Sequence, residues 1–143
     1  MNSEGQSSSS SVISGSYGYM APECGCDVRP STKQDVYSFG VILLELVTGK
    51  PAIGEDNGGG PEDKGLVEWA SHMRERNANI VIGLVDAELR SDYEMWSNEM
   101  EKVIDVAFLC TRASPKHRPT MQQVVDMLSP PSPLLAEYRP LLN

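Results

Sequence analysis

Residues 35–51 read Asp35-Val36-Tyr37-Ser38-Phe39-Gly40-Val41-Ile42-Leu43-Leu44-Glu45-Leu46-Val47-Thr48-Gly49-Lys50-Pro51. Between Val36 and Val47 apolar side chains fall on every face of a helix, which predicts a buried central helix rather than a surface one. Thr32 and Asp35 stand at capping-box spacing, with Thr32 as the expected N-cap. Gly49 and Pro51 supply the closing signal. At about 1.5 Å per residue the segment is too short to cross a bilayer.

Downstream, Ala52 to Gly65 reads as a solvated loop, with Gly58, Gly59 and Gly60 among Glu55, Asp56, Glu62 and Asp63. A phosphate cradle would need a preceding strand and a following Lys-Ser or Lys-Thr, and neither occurs. Three amphipathic helices follow, carried by Leu66, Trp69, Ala70 and Met73, by Met100, Val103, Ile104, Ala107 and Phe108, and by Met121, Val124, Val125 and Leu128. Thr120 and Gln123 form a second capping box, and Pro130-Pro131 stops the last helix. Ile80 to Leu89 is expected to be loop with a turn of helix. No segment alternates long enough for a strand, so the class is all-α.

Upstream, residues 1–11 form a Ser-rich tract without large apolar groups and are expected to be disordered, because too little surface can be buried to offset the ordering entropy. Val12 to Pro22 is irregular. The resulting division is a 1–11 tail, a 12–130 folded portion and a 131–143 C-terminal tail.

The chain has 143 residues, enough for one core. Its 12 Lys and Arg against 20 Asp and Glu give a net charge of -8, which argues against a nucleic-acid partner. No membrane segment or signal peptide is visible. Three cysteines do not make a disulfide framework, and an intracellular, soluble chain is expected. Cys24-Gly25-Cys26 lacks zinc-knuckle spacing, His72 and His117 lie among charges, and Cys110 fits a helix core. The expected metal-site count is therefore none.

The informative stretches are combinations. Gly15-Ser16-Tyr17-Gly18-Tyr19-Met20-Ala21-Pro22-Glu23 contains the Ala-Pro-Glu that closes a protein-kinase activation segment. Asp35-Val36-Tyr37-Ser38-Phe39-Gly40-Val41 begins twelve residues after Glu23, and Arg118-Pro119-Thr120-Met121 opens the last helix. In this order they closely resemble the back half of plant receptor-like serine/threonine kinases of the leucine-rich-repeat class, from about Val12 to Pro130.

That resemblance implies the C-terminal helical lobe of a kinase fold with an activation-segment remnant at its N-terminus. It makes Gly15, Ser16, Tyr17, Gly18, Tyr19 and Met20 the substrate-binding loop, with Ser16 in place of the usual threonine. Glu23 and Arg118 become a structural ion pair, and Asp35 the central-helix aspartate that accepts catalytic-loop backbone hydrogen bonds in a whole kinase. Ser7, Ser8, Ser9, Ser10, Ser11 and Ser14 occupy the region where activation loops are phosphorylated. The Gly-rich loop, strand lysine, His-Arg-Asp and Asp-Phe-Gly are absent, so this chain holds no catalytic residue and binds no cofactor; ATP and magnesium belong to the intact parent. Partners would be protein substrates or the missing kinase half, and the parent would sit at the cytoplasmic side of the plasma membrane. Two functions follow: a lobe of an ATP-dependent protein kinase, or a non-catalytic protein-binding module derived from one. Without covering helices from the rest of a kinase, Tyr37, Phe39 or Leu43 is expected to stand exposed.

Overall fold

The computed structural model describes residues 17–25, 29–54, 65–76 and 83–142. The long apolar run forms α1, Thr32–Thr48. Its N-cap is Ser31, one residue before the expected Thr32. Ser31 Oγ accepts from the Gln34 backbone N–H at 3.3 Å, and Gln34 Oε1 accepts from the Ser31 N–H at 3.2 Å. The frame shifts because a reciprocal box needs the longer Glu or Gln arm at its fourth position, and Asp35 is one methylene shorter than glutamate. At the other end Gly49 has φ 68°, and its N–H donates to the Glu45 carbonyl. That left-handed cap suits glycine.

α1 packs most extensively on α3, Tyr93–Cys110. Gly40 sets their approach: a Cβ there would stand 2.6 Å from Cys110 Cβ, 2.8 Å from Thr111 Cγ2 and 3.1 Å from the Ala107 carbonyl oxygen. α2, Leu66–Arg76, covers another side of α1, and α4, Met121–Leu128, packs on α3. The Thr120–Gln123 capping box is present at the start of α4. Segment 131–143, read as a tail, carries α5, Pro133–Tyr138, whose Leu135 enters the core. Pro130-Pro131 follows the end of α4 at Leu128, and Pro133 lies in the first turn of α5, where a missing N–H costs nothing.

One apolar cluster joins helices α1 to α5, with Leu44 of α1, Leu66 of α2, Leu109 of α3, Val124 of α4 and Leu135 of α5 among its members, together with Leu84 and Val85. Cys110 lies inside it, and burial pushes its thiol pKa up to about 12, so it behaves as a small core residue. Among the described residues there is no strand, only a bridge between Ile53 and Gly65 at the ends of the 55–64 stretch. The fold is helical; of the 80–89 stretch, read as loop with a turn of helix, the described Gly83 and Leu84 are helical, and a 3-10 helix, Leu89–Asp92, follows.

Among the described residues, α1 keeps one apolar stretch exposed. Tyr37 and Leu43 are buried and Phe39 is half-buried, contrary to the expectation that one of them would be left open. The uncovered residues are Ile42 and Leu46, the latter 68% exposed. With Asp35 they lie seven and eleven residues apart along one face, with Phe39 between.

Candidate functional site

Arg118 follows the 3-10 turn Pro115–His117 and is 2% exposed. All five of its guanidinium N–H donors are used. Nη1 and Nη2 each donate to one carboxylate oxygen of Glu23 at 2.7 Å. Nε donates to the Arg112 carbonyl at 2.7 Å, Nη1 to the Lys33 carbonyl at 3.0 Å and Nη2 to the Ala113 carbonyl at 3.0 Å. The ring of Tyr37 lies beneath the guanidinium, 4.9 Å from centroid to carbon. Lys33 Nζ returns a hydrogen bond to the Arg118 carbonyl. A buried charge with this complement of partners is stable where an unpaired one would not be. The Arg118 hydrogen bond holds the Glu23 carboxyl below its usual range, against an opposing push from burial.

Glu23 sits on the 3-10 turn Pro22–Gly25, so the fork fastens the end of segment 17–25 to a residue 95 positions later. The same segment is fastened to α1 at a second place. Tyr19 Oη donates to Glu45 Oε1 at 2.7 Å, and the Ala52 N–H donates to that same oxygen at 2.9 Å. Ser38 Oγ donates to the Tyr19 carbonyl at 2.7 Å. The hydrogen bond to Glu45 raises the Tyr19 pKa, with burial adding to it. Gly18 has no room for a side chain, since a Cβ would lie 2.7 Å from Ile53 Cγ1. These ties leave Tyr17 71% and Met20 44% exposed on the outer side. The result is a fixed shelf with two large side chains presented to solvent.

The structure thus brings Glu23 and Arg118 together, and places Tyr17, Gly18, Tyr19 and Met20 on one shelf supported by α1. Asp35 is exposed in the first turn of α1, at the head of the Ile42–Leu46 face. Gly15, Ser16, Ser7, Ser8, Ser9, Ser10, Ser11 and Ser14 lie outside the described residues. Sequence reasoning passed over Glu45, Ser38 and Lys33. The signal for Glu45 was present: it is the one acid inside the apolar run Val36 to Val47. Among the described residues no three His, Cys, Asp or Glu side chains gather as metal ligands.

The sequence matches the family of the protein kinase domain over residues 2–128. The chain belongs to the protein kinase family. Among similar proteins of Arabidopsis thaliana, a leucine-rich repeat receptor-like serine/threonine-protein kinase is 42% identical over 86% of this chain and 11% of its own length. The receptor-like protein kinase HAIKU2 is 40% identical over 84% of this chain and 12% of its own length. This chain therefore spans about a tenth of the curated relatives it matches. A solved structure, the pseudokinase domain of BIR2, an immune regulator of the RLK/Pelle family, superposes with a TM-score of 0.65 at 30% identity. The match covers 86% of this chain and 34% of that one, so the fold here is a partial kinase domain of the receptor-like kind.

Proposed function

We propose that this chain is the helical C-lobe portion of a receptor-like serine/threonine kinase, and that residues 15–20 are its substrate-binding loop. The carrying observation is the double fastening of the shelf, by Glu45 and Ser38 to α1 and by Glu23 to Arg118, with Tyr17 and Met20 facing outward. In the whole kinase the reaction would move the γ-phosphoryl of ATP to a protein hydroxyl, with these residues positioning the acceptor. ATP and magnesium belong to the intact kinase, where the Gly-rich loop, the strand lysine and Asp-Phe-Gly would hold them, and no step is assigned to this chain. Among the described residues no helix is long and apolar enough to cross a membrane. The receptor-like relatives support a plasma-membrane parent with this portion on its cytoplasmic side. Phosphorylation at Ser7 to Ser11 and Ser14 belongs to the same reading.

The Ile42–Leu46 face supports the further point that α1 is completed by the remainder of a kinase domain, with Asp35 beside the incoming catalytic loop. The test mixes this chain with a separately expressed receptor-like kinase portion running from the Gly-rich loop through Asp-Phe-Gly. A 1:1 complex is expected, and Leu46→Asp should abolish it without unfolding the chain, because Leu46 is exposed. Absence of any complex overturns the reading. A complex without phosphoryl transfer favours the second reading, a non-catalytic protein-binding module, for which the pseudokinase likeness is the specific support.

A further inference from the structure

Arg74 and Arg118 are both half-buried or more, yet they differ in what their donors reach. Arg118 has every donor occupied by protein, whereas no hydrogen bond or ion pair reaches Arg74 among the described residues. The Arg74 guanidinium instead lies 4.8 Å over the ring of Phe108. It faces an open groove of about 760 Å³ between α2 and the C-terminal end of α3, and Arg112, whose Nη2 donates to the Leu141 carbonyl, lines the same groove. That volume falls within the range of ligand clefts. Burial pushes the Arg74 pKa down, and the Arg112 charge adds to this against the pull of Asp105. Asp105 itself is engaged with Arg139 at 2.7 Å. A desolvated cation with open donors gains most from an anion that fills them.

We propose that this groove binds a peptide bearing one anionic group, carboxylate or phosphate, on the Arg74 side chain, with Arg112 beside it. The apolar walls, Pro22, Val67 and Phe108, suit an apolar residue next to that anion, which a free inorganic ion would not supply. Two exposed carboxylates, Glu68 and Glu75, also line the groove, and neither forms an ion pair with Arg74 among the described residues. Glu68 acts at the Tyr37 end, about 9 Å along α2 from Arg74 at 1.5 Å per residue. A peptide with its anion at the arginine end keeps its charge away from Glu68 but near Glu75, the residue after Arg74, so the Arg74 fork must outweigh that repulsion. Because Pro22 and Tyr37 belong to both the groove and the surroundings of the Glu23–Arg118 fork, the bound peptide would lie beside the end of the shelf.

The experiment measures anisotropy of three labelled decapeptides with the full chain, each with one central residue flanked by leucines: phosphoserine, glutamate or serine. The two charged peptides should bind saturably, and the serine peptide at least about tenfold more weakly. Whichever charged peptide binds more tightly identifies the source of the anion. Arg74→Gln should lower affinity for the charged peptides about tenfold, and Arg74→Lys, which keeps charge but loses the fork, should lie between. Arg76→Gln, one residue beyond the groove lining, should change nothing. Near-UV circular dichroism establishes that each variant is folded. Equal binding of the serine peptide, unchanged affinity in folded Arg74→Gln, or no saturable binding by either charged peptide overturns the proposal. None of these outcomes depends on whether the chain associates with another kinase portion.

Discussion

Val36, Leu43, Leu44 and Val47 of α1 share an apolar cluster with Ile104 and Val106 to Cys110 of α3. The shelf, residues 17–25, is attached differently: Ala21 joins a small cluster with Tyr37, Val41 and Ala52, and the remaining ties are hydrogen bonds, from Tyr19 to Glu45, from Ser38 to the Tyr19 carbonyl and from Arg118 to Glu23. Apolar burial is non-directional and tolerant of small shifts, whereas a hydrogen-bonded fork holds one geometry. A segment whose exposed side chains must keep one orientation needs the second kind of attachment. The cost is dependence on a few residues.

The largest effect should come from the residue that serves both regions. Arg118→Ala removes five donors at once and leaves Glu23 and three carbonyls without their partner. Breaking one side of a buried pair costs on the order of 3–5 kcal/mol, a large fraction of the ~5–15 kcal/mol typical of a domain. Urea denaturation should show it, and a cycle with Glu23→Ala should show coupling between the two sites. Additive single effects would mean that the shelf is held mainly by its apolar contacts.

Next in size is a change confined to the seam. Gly40→Val forces a side chain into contacts already below 3 Å, so α1 and α3 must separate. Overpacking of this kind costs about 1–3 kcal/mol. The loss should appear in global stability, while the Tyr19–Glu45 and Glu23–Arg118 bonds persist. Hydrogen exchange that rises in the shelf before the seam in this variant would break the distinction between the two regions.

The two regions were not equally legible in the sequence. Helix existence, the Gly49 stop and the Thr120–Gln123 box are local patterns, so they can be read from a few neighbours. The Glu23 and Arg118 assignment came through family motifs, because nothing local joins positions 95 apart. The uncovered face of α1 was not legible. A run that is apolar all round carries no periodic signal of which side lacks a neighbour, so it points to Tyr37, Phe39 or Leu43 as readily as to Ile42 and Leu46. Ser31 and Thr32 both offer a capping hydroxyl, and only the reach of Gln34 selects between them. The Arg74 groove was invisible for another reason: it depends on Phe108 and Arg112 arriving from α3 and the residues after it.

The smallest effect is also the one that separates the regions most cleanly. The Glu23 carboxyl is held below its ordinary value of 4.5 by Arg118. A carboxyl whose pKa is lower in the folded state adds stability above its unfolded value and loses that stability as pH falls through the folded one. Neutral and mildly acidic solutions should therefore leave the fork intact, and its contribution should fade only below the ordinary carboxylate range. Among the described buried residues of the seam cluster the ionisable side chain is Cys110, which stays protonated throughout. Acidification should thus release the shelf before the core. The Cys24 N–H, bonded to the Ala21 carbonyl at 2.9 Å, reports on the shelf, and the amides of Leu44 and Leu109 report on the seam. Corrected for intrinsic exchange, protection at Cys24 should fall at a higher pH than protection at the other two. Glu23→Gln should show weakened Cys24 protection already at neutral pH and little further change on acidification. Simultaneous loss at all three amides in the unaltered chain would place shelf and seam in one cooperative unit, and the polar attachment would then be a packing detail.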